Sequence, residues 1–153
     1  MKPNFNKNYK GIRCRVYLVR ENQGDEVVEI NDSSAVYELV KDELISADRE
    51  MLLSVMITTK NHLIGVETVS IGSISATTML PRDVFKSSIL ANAVAIILCH
   101  NHPSGSLDPS NADIQMTKQL IEAGELLGIK MLDHLIVSDK GYKSLRDYCK
   151  FPD

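Results

Sequence analysis

The sequence predicts a mixed α+β domain, one central sheet with helices on its faces. Three observations carry that expectation. Ala93 to Cys99 is seven apolar residues without a charge, the pattern of a strand buried on both faces. Two other stretches repeat apolar residues at helical spacing, and strands and helices alternate without the regular βαβ period of a doubly wound fold. With 153 residues, 44% of them hydrophobic, the chain suits one domain with a sizeable core.

In order along the chain, Ile12 to Leu18 alternates as a strand does. Glu21 to Asp25 reads as a turn before Val27-Val28-Glu29-Ile30, and together these make a hairpin. Asn31-Asp32-Ser33 offers cap chemistry for a helix with the stripe Ala35, Val36, Leu39, Val40 and Leu44. Met51 to Thr58 is an apolar strand, Lys60-Asn61 its turn, and His62 to Val69 the returning strand. Ser73 to Leu80 is a β-branched run, and Pro81 opens a helix to about Asn92 whose inner face is Val84, Phe85, Ser88 and Ile89. Met116, Leu120, Ala123 and Leu127 mark a further helix, ended by Gly128, and Leu132 to Val137 is another strand. Asp139-Lys140-Gly141 turns the chain into a last short strand.

The chemistry gathers where the apolar run ends. His100 and His102 are two residues apart, so in extended backbone both imidazoles point to one side and Asn101 to the other. Pro103 to Ser106 turns the chain, and Pro109-Ser110 leads into a helix with Asp113 in its first turn. Two readings of Ser110 and Asp113 stand side by side: an N-cap with its capping-box partner, or a site in which Asp113 joins the histidines as an oxygen ligand. A His-His-Asp set leaves a fourth tetrahedral position open, as catalytic zinc sites do. Asp108 competes with Asp113 for the oxygen position.

His100-x-His102, seven residues, Ser110, two residues and Asp113 reproduce the His-x-His-x7-Ser-x2-Asp motif of the JAMM (MPN+) metalloproteases. The wider wording resembles the JAB-like domain of the RadC family. Its phrases are Thr59 to Ile64, Glu67, Pro81 to Phe85, His100 to Gly105 and Leu132 to Val137, and the resemblance covers roughly residues 32 to 146.

That resemblance implies a JAMM/MPN-like sheet with flanking helices, of cytidine-deaminase-like architecture, over residues 32–153. Residues 1–31, a basic segment and hairpin, then belong to the same domain. It also implies one zinc per chain on His100, His102 and Asp113, an upstream glutamate as general acid and base, and Ser110 at the oxyanion. Glu67 best matches the RadC-like position of that glutamate. Glu50, which also precedes a strand, is the fallback. The implied reaction is attack by metal-activated water on the amide bond of a peptide, protein or isopeptide substrate.

The other histidines and cysteines rank lower. His134, beside Asp133 in a strand, reads as a buried hydrogen-bonded histidine or as support for the site. His62 reads as a loop residue. Strand alternation turns Cys99 away from His100, as a small buried hydrophobe. Cys14, Cys99 and Cys149 form no close pair, so neither a disulfide framework nor a Cys-x2-Cys metal site is expected, and a reducing cytoplasm is. No leader and no membrane-crossing run is expected.

The net charge of −3 speaks against a strongly nucleic-acid-binding surface. Residues 1–20 nonetheless carry Lys2, Lys7, Lys10, Arg13, Arg15 and Arg20 and no acid. Such an arm is either a solvated terminus or a contact to phosphates. The alternative function is therefore a DNA-associated repair accessory or binding protein without proteolytic activity. The absence of Trp and of an aromatic-rich basic groove counts against it.

Overall fold

The computed structural model describes residues 14–22, 24, 26–72 and 79–152. Lys2, Lys7, Lys10 and Arg13 of the basic arm, and residues 73–78 of the β-branched run, lie outside the described residues. The elements are α1 (Ser33–Ser46), β1 (Met51–Ile57), β2 (Leu63–Ile71), α2 (Pro81–Leu90), β3 (Ala95–Asn101), α3 (Asn111–Leu127), β4 (Lys130–Ser138) and β5 (Gly141–Ser144). The strands form one mixed sheet in the order β2-β1-β3-β4-β5, in which only β3 and β4 run parallel. Among the described residues no helix is long and apolar enough to cross a membrane.

Strand β3 lies at the centre, and its parity organises the domain. Ala95, Ile97 and Cys99 pack beneath α1 with Val36, Val40 and Leu44, whereas Ile96 and Leu98 pack under α2 and α3 with Phe85, Met116 and Leu120. All seven residues of β3 are buried, as a strand covered on both faces requires. Helix α1 starts where Asp32 accepts the Ala35 N–H at 2.8 Å, a side-chain N-cap. Helix α3 ends on Gly128, whose φ of 70° is the left-handed conformation that stops a helix.

Four expectations change. The described residues 14–22 contain no strand, and Val16, Tyr17 and Val19 are exposed. Ile12 and Arg13 of that expected strand, with Gln23 and Asp25 of its turn, lie outside the described residues, and 28–30 meets the start of β2, with Ile30 N donating to Asn61 O and Leu63 N to Val28 O, each at 2.8 Å. Strand β3 runs from Ala95 to Asn101, later than the apolar run alone indicates, so His100 is inside the strand. Helix α2 ends at Leu90 and turns Ile89 outward at 52% exposure, and Ser87 is buried in its stead. On the outer side of the sequence-read stripes, Leu39 and Leu127 are also exposed, because each stripe is wider than the face the sheet covers.

Candidate metal centre

His100 is fully buried near the end of β3, and His102 follows one residue past it. Their rings converge, with Nε2 of His100 3.0 Å from Nε2 of His102. Asn101 between them points to the other face. Its side chain straddles the chain before β1, accepting from Met51 N at 2.7 Å and donating to Arg49 O at 3.1 Å. That clamp fixes the backbone on both sides of Glu50.

Across the turn, Ser110 and Asp113 form a complete capping box at the start of α3. Ser110 Oγ accepts the Asp113 N–H at 3.1 Å, and Asp113 Oδ2 accepts from Ser110 N and from Ser110 Oγ, both at 2.7 Å. The same carboxylate faces both histidines, Oδ1 lying 3.4 Å from His100 Nε2 and Oδ2 3.3 Å from His102 Nε2. The cap and the site are one arrangement, so the two sequence readings of this pair do not exclude each other.

Glu50, His100, His102 and Asp113 each offer a ligand atom, and these atoms all lie within 4.8 Å of one another. The glutamate that the structure brings to the group is Glu50, the fallback, and Glu67 is not among these residues. Glu67 sits on β2 across from Ser54, which in turn is across from Leu98; His100 is level with Leu52. Glu67 is therefore two strands from β3 and out of register with its end. Its Oε2 is buried, as are Ser54 Oγ and Ser88 Oγ, and none of the three has a hydrogen-bond partner among the described residues.

The donor set suits a cation. His102 Nδ1 lies 2.9 Å from the Ser106 carbonyl, which can only accept, so Nδ1 carries the proton and Nε2 of the neutral ring presents a lone pair. That lone pair meets an ionised carboxylate and a second imidazole nitrogen. Four-coordinate zinc with ligand bonds of about 2.0–2.1 Å separates its ligands by roughly 3.3 Å, close to the 3.0 Å between the two Nε2 atoms and to their approaches of 3.4 Å to Asp113 Oδ1 and 3.3 Å to Asp113 Oδ2. The residues present thus fit a metal ion.

The charges agree with this. Burial works to raise the Asp113 carboxyl, but the facing His100 and His102 rings, which donate to it whenever a proton occupies the site, outweigh burial and hold the group well below the usual carboxylate range. The hydrogen bond to Asp113 raises His102, with smaller help from the Ser106 carbonyl and the charges of Asp113 and Glu50. Behind the histidines lies His134 on β4, fully buried, its Nε2 2.8 Å from His100 Nδ1 and its Nδ1 2.7 Å from Thr117 Oγ1. Burial first, and then the His100 ring beside it, push His134 well below the ordinary histidine value, so it is neutral.

Asp133 turns away from the cluster. It accepts from Ser33 Oγ at 2.9 Å and Ser144 Oγ at 2.7 Å, tying α1 and β5 to β4. Asp108 is exposed and meets Lys143 Nζ at 3.2 Å, and half-buried His62 is 3.9 Å from Glu29. Cys99 is buried under α1, where burial pushes its thiol pKa up. On the α1 side of the sheet an open groove of about 370 Å³ runs past Leu44, Ile45, Pro103, Val137 and Lys140, and of the four clustered residues only His102 lines it.

Sequence reasoning missed Thr117 and the clamp of Asn101. Thr117 is four residues after Asp113 and so on the same face of α3, which was the available signal. Nothing local distinguishes Asn101 beyond its place between the histidines.

The RadC-like JAB domain family matches residues 30–150. The UPF0758 protein of Desulfitobacterium hafniense is 43% identical over 118 residues, 77% of this chain and 52% of that protein. That of Moorella thermoacetica is 48% identical over 109 residues, 71% and 48% of the respective chains. An archaeal relative, the UPF0758 protein of Methanosarcina mazei, is 41% identical over 119 residues, 78% and 52%. The chain thus spans about half the length of the curated relatives it matches.

Proposed function

The chain belongs to the family of RadC-like JAB domains, and from that premise we propose that it is a zinc-dependent metallohydrolase cleaving amide bonds of peptide, protein or isopeptide substrates. One observation carries the reading: Glu50, His100, His102 and Asp113 converge at the end of the central strand. His100, His102 and Asp113 are the ligands, a set of two imidazoles and a carboxylate that suits zinc and leaves a position free for chemistry. When bound, the metal supplies Lewis acidity, polarising a carbonyl and making water acidic enough to ionise near neutral pH.

The chain's own groups do the rest. Glu50, held beside His102 by the Asn101 clamp, takes the proton of the attacking water and returns it to the leaving nitrogen, a contribution of about 10²–10⁴ in rate. Ser110, exposed at the N-cap of α3, gives its one hydroxyl proton to the Asp113 carboxylate in the resting site and turns it to the developing oxyanion during the reaction.

The test begins with elemental analysis of the untagged protein and the His102→Ala variant after dialysis against metal-free buffer. The reading expects about one zinc per wild-type chain and none in the variant. Glu50→Gln then keeps its zinc and loses hydrolysis of a panel of fluorogenic peptides and isopeptides. A wild-type protein that holds no zinc, even after zinc is added back, refutes the proposal.

A further inference from the structure

Behind the cluster, two buried side chains lie end to end between one site residue and the backbone of another. His100 Nδ1 is 2.8 Å from His134 Nε2, His134 Nδ1 is 2.7 Å from Thr117 Oγ1, and Thr117 Oγ1 is 2.6 Å from the carbonyl oxygen of Asp113. His100, Thr117 and His134 are all 0% exposed, so water does not supply other partners.

We propose that His134 and Thr117 are positioning residues forming a one-way hydrogen-bond chain that fixes His100 as the Nδ1–H tautomer and leaves its Nε2 bare toward His102 and Asp113.

The direction follows from its last member. A carbonyl oxygen only accepts, so the Thr117 hydroxyl spends its single proton on Asp113 O. Thr117 Oγ1 must then accept from His134, which places the His134 proton on Nδ1. A neutral imidazole with Nδ1–H has a bare Nε2, so His134 accepts from His100, and His100 carries its own proton on Nδ1. At every link one tautomer satisfies both ends, and the other sets two donors or two acceptors face to face.

The consequence is felt in the cluster. His102 is turned the same way by the Ser106 carbonyl, so both Nε2 lone pairs meet 3.0 Å apart, and a proton or a metal ion has to stand between them. The protein thereby holds two ligand nitrogens in the form that binds metal before any metal arrives. The chain starts at one ligand and ends at the backbone of another, and so also sets the spacing of β3 and α3 across the site.

This rests on the metal-site reading for its effect on affinity, but the tautomers can be read without metal. The experiment is a long-range 1H–15N correlation spectrum of the metal-free, 15N-labelled full chain near neutral pH. Its four histidines are few enough to assign by single substitutions. Both His100 and His134 are expected as Nδ1–H tautomers. A bare Nδ1 on either ring in the wild type overturns the proposal.

A second arm compares Thr117→Val with Thr117→Ser in zinc competition against a chromophoric chelator. The valine variant removes the hydroxyl that sets the direction, frees His134 to flip, and is expected to weaken zinc binding roughly 10- to 100-fold. The serine variant restores wild-type affinity. A valine variant as tight as wild type overturns the proposal. Expected tautomers in a wild type that takes up no zinc leave the chain standing and refute the hydrolase reading instead.

Discussion

Asp113→Asn separates the two jobs this residue performs. In the wild type Oδ2 accepts the Ser110 N–H and hydroxyl, and Oδ1 faces His100 Nε2 at 3.4 Å. An asparagine must keep its carbonyl oxygen toward Ser110, because the reverse orientation sets its N–H2 against the Ser110 N–H. Its amide nitrogen then lies where Oδ1 was and donates to His100 Nε2. The capping box survives, a buried charge disappears, and the metal-free variant is expected within about 1 kcal/mol of wild type. The space between the imidazoles, however, now holds a hydrogen-bond donor where a cation needs an acceptor.

The assay is thermal unfolding with chelator and with zinc. Free zinc at about 100 times its dissociation constant stabilises the folded wild type by about 2.7 kcal/mol. For a chain of 153 residues each kcal/mol shifts the midpoint by roughly 2–4 °C, so zinc raises it by roughly 5–11 °C. The Asn variant should show none of that rise. Ser110→Ala makes the opposite trade: it loses the cap, about 0.5–2 kcal/mol, but keeps the rise with zinc. An Asn variant stabilised by zinc as much as the wild type would refute Asp113 as a ligand and reduce it to a helix cap.

Three further outcomes are expected. The hydrogen bond to Asp113 lifts His102 above its unfolded value, so its stabilising effect is full below about pH 6.5 and is lost as pH rises through the folded pKa. In chelator, the advantage of wild type over His102→Gln in urea titrations therefore shrinks from acid to alkaline pH, and with zinc it grows, since ligands bind deprotonated; a difference flat with pH contradicts this. Asn101→Ala strips the Arg49 carbonyl and the Met51 amide of their side-chain partner, costing about 1–3 kcal/mol in denaturant titration. It keeps its zinc and loses hydrolysis toward the level of Glu50→Gln, whereas full activity would show that Glu50 is held by something else. Glu67→Gln retains both zinc and hydrolysis; loss of hydrolysis alone would return Glu67 to the site.

The histidine pair and the start of α3 were legible because they are local. His100, His102, Ser110 and Asp113 fall within fourteen consecutive residues, where strand parity and a capping pattern fix directions without knowledge of the fold. The β1–β2 hairpin was legible for the same reason, since adjacent apolar strands with a short turn pair with each other. The N-terminal strand failed on the same principle in reverse. Alternation at Val16 and Leu18 says that a strand has two unlike faces, but not that anything lies against either.

The choice between Glu50 and Glu67 depended on a pairing that local pattern does not reveal. Leu52 pairs with His100 across 48 positions of chain, and continuing that antiparallel register by two residues carries Glu50 level with His102. The hairpin register meanwhile sets Glu67 opposite Ser54 and Leu98, short of the strand's end. Because β1 and β3 run in opposite directions, the acid that reaches the end of β3 must come from the beginning of β1, before its first apolar residue. The same holds for the support behind the site: His134 meets His100 at a separation of 34 residues and Thr117 at 17, and Asn101 meets Met51 at 50. A contiguous motif names the candidate ligands, but what orients them comes from strands brought alongside by the sheet. Substitutions at Thr117, His134 and Asn101 are therefore the ones that test the architecture apart from the motif.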